Sequence, residues 1–291
     1  MSISKRHHYI PQFLIRRFAD AEGMLYLYNK ETGTFAKEKR STKAVFFDMN
    51  RNTVKMGGVE NDSMEKLYAV LDERFADTLK DILNNGNLSV GNVGSMLIFA
   101  STLKWRVMAN DGKFDEADQR LGYEDLPITI KVSKENQVQN EEAIQNLVNS
   151  DLFRMSKRVI LPFLPFYGDE GLSENKLLKA HNRSYFHNNE KVISILGDSP
   201  IIEDKNVSDH DFGNFIFPVG NHDTFICSDR GNQQVNHYAF YVNKDLAMFH
   251  QAEKYVVCSN KEHLEQIIQA YNFLAAGGNL NQITDFIFSF T

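Results

Sequence analysis

Two adjacent histidines near the start of the chain, His7 and His8, are the residues whose type and spacing point most directly to chemistry. A neutral imidazole can act as a general base near pH 7 and is a common metal ligand. Neighbouring residues of an extended strand point to opposite faces, so both rings reach one site only if the backbone turns between them. The functional interpretation is that one ring activates a water molecule or binds a metal while the other supports it. The alternative is that both pack against Tyr9 and hydrogen-bond to the backbone.

Cationic and amide side chains lie close to this histidine pair in sequence, at Lys5, Arg6, Gln12, Arg16 and Arg17. Because Lys and Arg donate charge-assisted hydrogen bonds to phosphate oxygens, we expect this set to bind the phosphate of a substrate. Further cations follow at Lys37, Lys39, Arg40 and Lys43, but acidic residues are interleaved with them. The alternative is therefore a solvated face held by salt bridges.

A carboxylate later in the chain, Asp198, is the candidate partner of His8. It follows an apolar run over 192–196 and precedes Ser199 and the chain-turning Pro200. An acid at the end of a buried strand can face a ligand, so we expect Asp198 to be a catalytic residue and, together with His8, a metal ligand. The alternative is an Asx turn, in which Asp198 satisfies its own backbone.

Three further polar stretches hold the residue types of a one-metal nuclease centre, in which a histidine activates water and a divalent ion polarises the phosphate. They are His210-Asp211, Asn221-His222-Asp223 and Asn236-His237. Their spacing matches no metal motif such as His-Glu-x-x-His. Polar loop residues without a site are the alternative.

The opening segment also carries a family resemblance. The stretch His7-His8-Tyr9-Ile10-Pro11-Gln12-Phe13, followed by Phe18-Ala19, resembles the N-terminal signature of a bacterial family catalogued as domain of unknown function 4238. The resemblance continues in the amphipathic stretch 60–83, in 197–201 and in 217–219, and so spans nearly the whole chain. The family name implies no activity, so function has to be inferred from the residues.

Composition describes a folded, weakly acidic protein of 291 residues with a formal net charge of −6. This charge argues against non-specific coating of nucleic acid, which needs a broad basic surface, but it leaves room for a local basic site. The two cysteines, Cys227 and Cys258, lie far apart, which favours a reduced, cytoplasmic protein. The sequence has no apolar stretch of about 18 residues, so we expect no membrane span.

Periodicity predicts an α+β fold in a single domain over 1–291, with an N-terminal hairpin, a central α-helical bundle, and C-terminal antiparallel strands with closing helices. Hairpins are predicted over 24–37 and 184–196, and a loop over 51–58. Helices are predicted over 62–83, with a capping box of Asp62 and Glu65, and over 92–109, 140–159, 233–248 and 261–275. The charged, Pro-containing segment 111–140 is interpreted as a mobile excursion.

The first functional hypothesis is a metal-assisted hydrolase of phosphodiesters, in the form of a nuclease that acts on nucleic acid at the local basic site. His7, His8 and Asp198 form its catalytic group, and its cofactor is Mg²⁺, Mn²⁺ or Zn²⁺, held by His8 and Asp198. The competing hypothesis is a non-enzymatic sensor or protein-binding module in which the His-His motif is a structural clasp. That hypothesis leaves open a protein partner or a homo-oligomer. Walker A, Gly-x-Ser-x-Gly and Cys-x-x-Cys motifs are missing, which excludes the common nucleotide-binding, α/β-hydrolase and zinc-ribbon classes.

Overall fold

The computed structural model describes residues 5–56, 59–86, 88–128, 137–166, 174–204, 213–229, 235 and 237–291. In chain order the helices are α1 (Gln12–Arg16), α2 (Ser63–Asn85), α3 (Val90–Arg106), α4 (Asp111–Arg120), α5 (Gln137–Val148), α6 (Asp151–Ile160), α7 (Glu174–Asn182), α8 (Tyr238–Gln251), α9 (Lys261–Ala276) and α10 (Ile283–Ile287). The strands are β1 (Arg6–His8), β2 (Met24–Asn29), β3 (Thr34–Phe35), β4 (Arg40–Ser41), β5 (Phe47–Met49), β6 (Val54–Met56), β7 (Val59–Asn61), β8 (Ser184–Asn188), β9 (Leu196–Gly197), β10 (Ile202–Glu203), β11 (Phe215–Pro218), β12 (Asp223–Cys227) and β13 (Tyr255–Cys258). Helices combined with antiparallel sheets confirm the predicted α+β fold.

One antiparallel sheet joins the two ends of the chain. β2 pairs with β3 in the hairpin that the sequence predicts, and β2 also pairs with β13, close to the C-terminus. β9 pairs with β13 as well, which gives the strand order β3-β2-β13-β9. A second sheet has the order β10-β11-β12-β8. The N-terminal hairpin is therefore fixed by strands from the other end of the chain.

Two central helices, α2 and α3, pack against each other as predicted. α2 is amphipathic because its apolar residues recur at steps of three and four, and one face of it is buried. α3 is buried on most of its surface and begins at Ser89, whose side chain accepts a hydrogen bond from Asn92 N. Phe75 of α2 stacks on Phe99 of α3 with ring centroids 4.7 Å apart. Aromatic packing of this kind joins the central helices into one layer.

Several local predictions are wrong. The helix predicted over 140–159 is two helices, because Ser150 caps α6 by accepting a hydrogen bond from Phe153 N. The loop predicted over 51–58 contains β6, which pairs with β7. The hairpin predicted over 184–196 does not form, since β8 pairs with β12 and β9 with β13. The predicted capping box is also wrong, because the Asp62 side chain makes no cap hydrogen bond.

The segment interpreted as a mobile excursion, 111–140, begins with helix α4. Phe114 on this helix is fully buried, and the guanidinium carbon of Arg158 lies 4.1 Å from its ring centroid. Residues 111–120 are therefore a helix rather than an irregular excursion, and a single buried aromatic side chain anchors this charged helix. Residues 129–136 lie outside the described part of the chain, and the mobility of the segment stays a prediction.

The N-terminal motif is part of the main hydrophobic core. Ile10, Leu14 and Phe18 are fully buried and belong to the same apolar cluster as Phe99 of α3 and Phe217 of β11. Full burial of an aliphatic or aromatic side chain stabilises a fold by about 1.5–3 kcal/mol. The segment that carries the two histidines is therefore tied to both the central helices and the C-terminal strands.

Candidate functional site

His8 lies in β1, and its ring is held by the helix that follows. Gln12 of α1 approaches the ring, with its Nε2 3.3 Å from His8 Nδ1. Arg16, one turn further on, donates to Gln12 Oε1 at 3.2 Å. Because a guanidinium can only donate, it orients the Gln12 amide so that the NH₂ group faces the imidazole. We infer that His8 Nδ1 accepts and that the proton of the neutral ring is on Nε2.

The surroundings of His8 keep its ring uncharged. Burial is the largest cause, and the positive charges of Arg106, Arg6 and Arg16 add to it, so that the pKa of His8 falls to about 4. A hydrogen bond between the ring and the Lys43 backbone acts in the opposite direction. The residue is only 9% exposed, and Nε2 has no hydrogen-bond partner among the described residues. A buried polar group without a partner costs about 1–3 kcal/mol. His8 thus carries an uncharged ring whose buried N–H would gain a hydrogen bond if a ligand reached it.

Two further buried polar groups are linked to His8 indirectly: the charge of Arg106 lowers the pKa of His8, and Tyr68 packs against Arg106. The guanidinium carbon of Arg106, at the end of α3, is 4.4 Å from the centroid of the Tyr68 ring on α2. Within the described part of the chain, neither Arg106 Nε nor the Tyr68 hydroxyl has a hydrogen-bond partner. We call His8, Tyr68 and Arg106 the His8 centre. The sequence analysis did not identify Tyr68 or Arg106 as site residues. The one signal that could have identified Arg106 is its charge at the end of α3, a helix with few polar residues.

Ion pairs support the His8 centre on the side of the helices. Arg106 Nη1 donates to Asp72 at 2.7 Å, and burial raises the pKa of the Asp72 carboxyl. Arg51 and Arg158 share the Asp111 carboxylate, with distances of 2.5 and 2.8 Å. Arg51 also donates to the Arg106 carbonyl at 3.2 Å, which links the two pairs. These two carboxylates therefore offset much of the positive charge of the three arginines.

The motif also carries exposed cations. Lys5, Arg6 and Arg16 are all exposed, and the last two act on the charge of His8. The Arg6 guanidinium carbon lies 5.1 Å from the centroid of the Phe47 ring, on the strand paired with β1. The structure therefore brings Arg6, Gln12 and Arg16 to His8, although their role in binding a substrate stays a proposal.

His7, expected to be the second catalytic imidazole, is fully buried and bound to the backbone. Its Nδ1 accepts a hydrogen bond from Asn52 N at 2.8 Å, and the Asn52 side chain donates to Glu65 on α2 at 2.7 Å. In the extended strand β1, His7 and His8 leave the backbone on opposite faces. The Nδ1 lone pair of His7 is therefore already used, and the catalytic role of this residue stays a prediction.

Arg17, expected to bind phosphate, joins the motif to the C-terminal strands. Its guanidinium donates to the Val219 carbonyl at 2.6 Å and forms an ion pair with Asp223 of β12. The other Asp223 oxygen accepts from the Asn188 side chain at 2.6 Å. The Arg17 carbonyl accepts from Asn221 N at 3.0 Å. Both the side chain and the backbone of Arg17 therefore have structural partners.

Asp198, expected to be a catalytic acid and metal ligand, is bound to a distant turn of the main chain. Its carboxylate oxygens accept hydrogen bonds from the N–H groups of Glu253, Lys254 and Tyr255, each at 2.8 Å. Its own N–H donates to the Tyr255 carbonyl at 3.0 Å. Burial raises the pKa of Asp198, while the three N–H groups oppose that rise. Both carboxylate oxygens are therefore engaged by the main chain of residues 253–255 rather than by the residue's own segment, and the catalytic and metal-binding role of Asp198 stays a prediction.

The remaining candidate residues have separate structural roles where they can be described. His222 Nδ1 lies 2.6 Å from the Val192 carbonyl. His237 accepts a hydrogen bond from Ala239 N at 3.2 Å and so caps α8. His210, Asp211 and Asn236 lie outside the described part of the chain.

The donor set does not suit the metal ion expected from the sequence. In the residues that the structure describes, no group of three or more His, Cys, Asp or Glu side chains could hold a metal ion. At His8, Nε2 carries the proton and the charges that act on the ring are guanidiniums, whereas a metal needs a lone pair and negative charge. A shared ion would require His8 to change tautomer and Asp198 to release its main-chain hydrogen bonds.

Fold and site together describe an α+β protein whose N-terminal motif is bonded to α2 and β12 and which holds buried polar atoms without partners among the described residues. The chain belongs to the family described as Protein of unknown function (DUF4238), whose model matches residues 6–262. This match confirms the family resemblance predicted from the sequence. Neither a curated protein nor a solved structure matches the chain. Among the described residues, no helix is both long and apolar enough to span a membrane.

Proposed function

We propose that the protein binds a phosphate group at the His8 centre and that its ligand is a phosphodiester of the nucleic-acid type. The observation that carries the proposal is the uncharged Nε2–H of His8, buried and unpartnered among the described residues, close to Arg6, Arg16 and Arg106. A phosphate oxygen needs donors, and each of these groups can donate. The net charge of −6 restricts such binding to a local site.

Each residue has a distinct part in this proposal. His8 donates from Nε2 to a phosphate oxygen, and Gln12 fixes that donor by occupying Nδ1. The exposed Arg6 and Arg16 attract the ligand and offset its charge. The Tyr68 hydroxyl is a second donor. Because His8 is nearly buried, the phosphate group enters while the remainder of the ligand stays outside.

The other half of the motif is the structural clasp of the competing hypothesis. His7 and Arg17 hold the segment to α2 and β12 through the contacts given above. Binding and clasp are therefore complementary roles of one motif. Cys227 and Cys258 are both buried and unbridged, which supports a reducing, cytoplasmic location.

Hydrolysis of the bound phosphodiester is a second candidate function. A neutral imidazole N–H beside guanidiniums can stabilise the negative charge that develops on the phosphoryl oxygens in the transition state. The observation that favours this step is the lowered pKa of His8, which keeps a neutral donor at the centre at pH 7. The proposed reaction does not use a metal ion bound between His8 and Asp198.

Calorimetric titration with inorganic phosphate and with a short single-stranded oligonucleotide tests the binding proposal. His8→Phe removes the donor and fills the same space. Since a hydrogen bond to a charged group contributes about 1.5–3 kcal/mol, we expect the affinity for both probes to fall at least about tenfold. Arg6→Ala and Arg16→Ala should each weaken binding less, and should reduce its dependence on salt.

His181→Phe is the matched control, because His181 on α7 also has a buried ring nitrogen, Nδ1, without a partner among the described residues. Its affinity for phosphate should be that of the wild type. A folded His8→Phe variant with wild-type affinity would falsify the binding proposal. Hydrolysis is assayed separately with bis(4-nitrophenyl) phosphate in EDTA. Activity that disappears in His8→Phe indicates a hydrolase, and its absence from the wild type leaves binding alone.

A further inference from the structure

A second chain of buried polar side chains lies between α8 and α9. Lys244 and Asp245, consecutive residues of α8, are each 1% exposed. Lys244 Nζ donates to the Ser194 hydroxyl and lies 3.1 Å from Asp245 Oδ1. Asp245 Oδ2 is 2.7 Å from His263 Nε2 on α9. The chain thus leads from the buried Ser194 to His263, whose side chain is 26% exposed.

Packing alone does not account for this pair of buried charges. Removing a lysine and an aspartate from water is costly, and apolar residues of similar volume often stabilise a core as well or better. Apart from its ion pair with Lys244, Asp245 Oδ1 makes no hydrogen bond within the described part of the chain. What the carboxylate does accomplish is to fix the orientation of the His263 ring. Since Nε2 donates to Asp245, the Nδ1 of the neutral ring is a fixed acceptor.

His263 borders a cavity of about 340 Å³. Half of its lining residues are aliphatic or aromatic and include Val192, Val242, Tyr238 and Tyr241, and the other half are polar or charged. The Tyr241 hydroxyl accepts a hydrogen bond from the Asn189 side chain at 2.7 Å, which holds that ring in place. Small-molecule sites typically have volumes of about 300–1,000 Å³, apolar walls and a few oriented polar groups. The cavity has the volume of such a site, and it combines apolar side chains with an oriented acceptor at His263.

We propose that this cavity binds a small planar aromatic molecule that carries one hydrogen-bond donor, which it gives to His263 Nδ1. Aromatic walls favour a flat ring, because offset-stacked and edge-to-face contacts add to the burial of apolar surface. Asp245 is a positioning residue that acts through His263, and Lys244 offsets its charge. This site is independent of phosphate binding at the His8 centre.

The test compares p-cresol with its methyl ether, 4-methylanisole. The ether has the same ring and ring methyl group, but its oxygen carries a methyl group in place of the proton. Calorimetry on the full chain should show p-cresol binding about tenfold more tightly, the value of one hydrogen bond. Nuclear magnetic resonance should show the His263 ring signals shifting with p-cresol more than with the ether.

Three variants locate the effect. His263→Phe removes the acceptor and should abolish the preference for p-cresol. His263→Gln retains an amide that can donate to Asp245 and an oxygen that can accept, so it should keep part of the preference. His250→Phe is the control, because His250 on α8 lies 3.1 Å from the Tyr271 hydroxyl and does not border the cavity. It should keep the full preference.

Several outcomes would overturn the proposal. One is equal affinity of the wild-type protein for the two probes, and another is no saturable binding of either probe at millimolar concentration. A third is an undiminished preference in folded His263→Phe. Loss of the preference in His250→Phe as well would place the effect elsewhere in the fold.

Discussion

Two buried polar regions of the molecule differ in how many of their polar atoms have hydrogen-bond partners. Around Asp198, both carboxylate oxygens accept main-chain hydrogen bonds, and the residue's own N–H is bonded as well. At the His8 centre, by contrast, a ring N–H, a phenol hydroxyl and a guanidinium N–H are buried without partners among the described residues. Sequence reasoning assigned chemistry to both regions, and the structure separates them.

This difference in hydrogen bonding indicates whether each region contributes to stability or to ligand binding. A buried polar group with all its hydrogen bonds made stabilises one conformation and has nothing left for a ligand. A buried donor without a partner lowers stability, and it can still form a hydrogen bond with a ligand that reaches it. We therefore expect changes at Asp198 to alter stability and changes at the His8 centre to alter binding.

Asp198→Ala should have the largest effect on stability, because the three N–H groups of residues 253–255 lose their acceptors where Asp198 is only 4% exposed. Hydrogen bonds to a charged group contribute about 1.5–3 kcal/mol each and are not additive, so we expect the free energy of unfolding to fall by about 4 kcal/mol. Urea denaturation measures this fall. Glu190→Ala, at an exposed carboxylate, should change it by less than about 0.5 kcal/mol.

The same Asp198→Ala variant also tests the comparison itself. Under conditions in which it is folded, its affinity for phosphate should match that of the wild type. A variant that kept its stability but lost affinity would reverse the assignment and make Asp198 a site residue.

The second effect is a pH-dependent loss of stability that originates at His8. Its pKa is about 4 in the folded protein against 6.5 in the unfolded chain. Between these values the unfolded chain binds a proton that the folded protein does not, so this stabilising contribution is complete above pH 6.5 and is lost as the pH falls towards 4. The shift corresponds to about 3 kcal/mol.

Urea denaturation of the wild type and of His8→Phe, from pH 7 to pH 4, isolates this contribution from that of the carboxylates. The wild type should lose more stability than the variant over this range. If both lost the same amount, His8 would have to be protonated in the folded protein, with partners for both nitrogens. The His8 centre would then be as fully matched as Asp198.

Elements that depend on local periodicity could be predicted from the sequence, while those that depend on distant residues could not. Helices α2, α3 and α9 have apolar spacing or capping residues that are visible within one segment. The pairing of β2 with β13 joins residues more than two hundred positions apart, and nothing in either strand specifies its partner. Strand segments were recognised more readily than the strands with which they pair.

The same division holds for the site. His8, Gln12 and Arg16 follow one another at intervals of four residues, so their proximity could be predicted. Tyr68 occupies the apolar stripe of α2, where a tyrosine is typical of core packing. Asp198 was assigned to a metal because its true partners are backbone N–H groups, which have no side-chain signature. A sequence shows which polar residues are present, but it does not show which of their buried atoms lack a hydrogen-bond partner.

Tyr68→Phe should have the smallest effect on stability and yet a clear effect on binding. The Tyr68 hydroxyl is buried and has no partner among the described residues, so removing it should leave the free energy of unfolding within about 0.5 kcal/mol of the wild type. Phosphate affinity should fall about fivefold if this hydroxyl donates to the ligand, as one moderate hydrogen bond would require.

Tyr185→Phe is the control for Tyr68→Phe, because the Tyr185 hydroxyl on β8 is likewise buried and without a partner in the described part of the chain. It should change neither stability nor phosphate affinity by a comparable amount. If Tyr68→Phe instead lost about 1 kcal/mol of stability or more and kept its affinity, the hydroxyl would have a structural partner in the folded protein. Tyr68 would then belong with Asp198 among the matched groups, and the ligand would be left with His8 and the arginines.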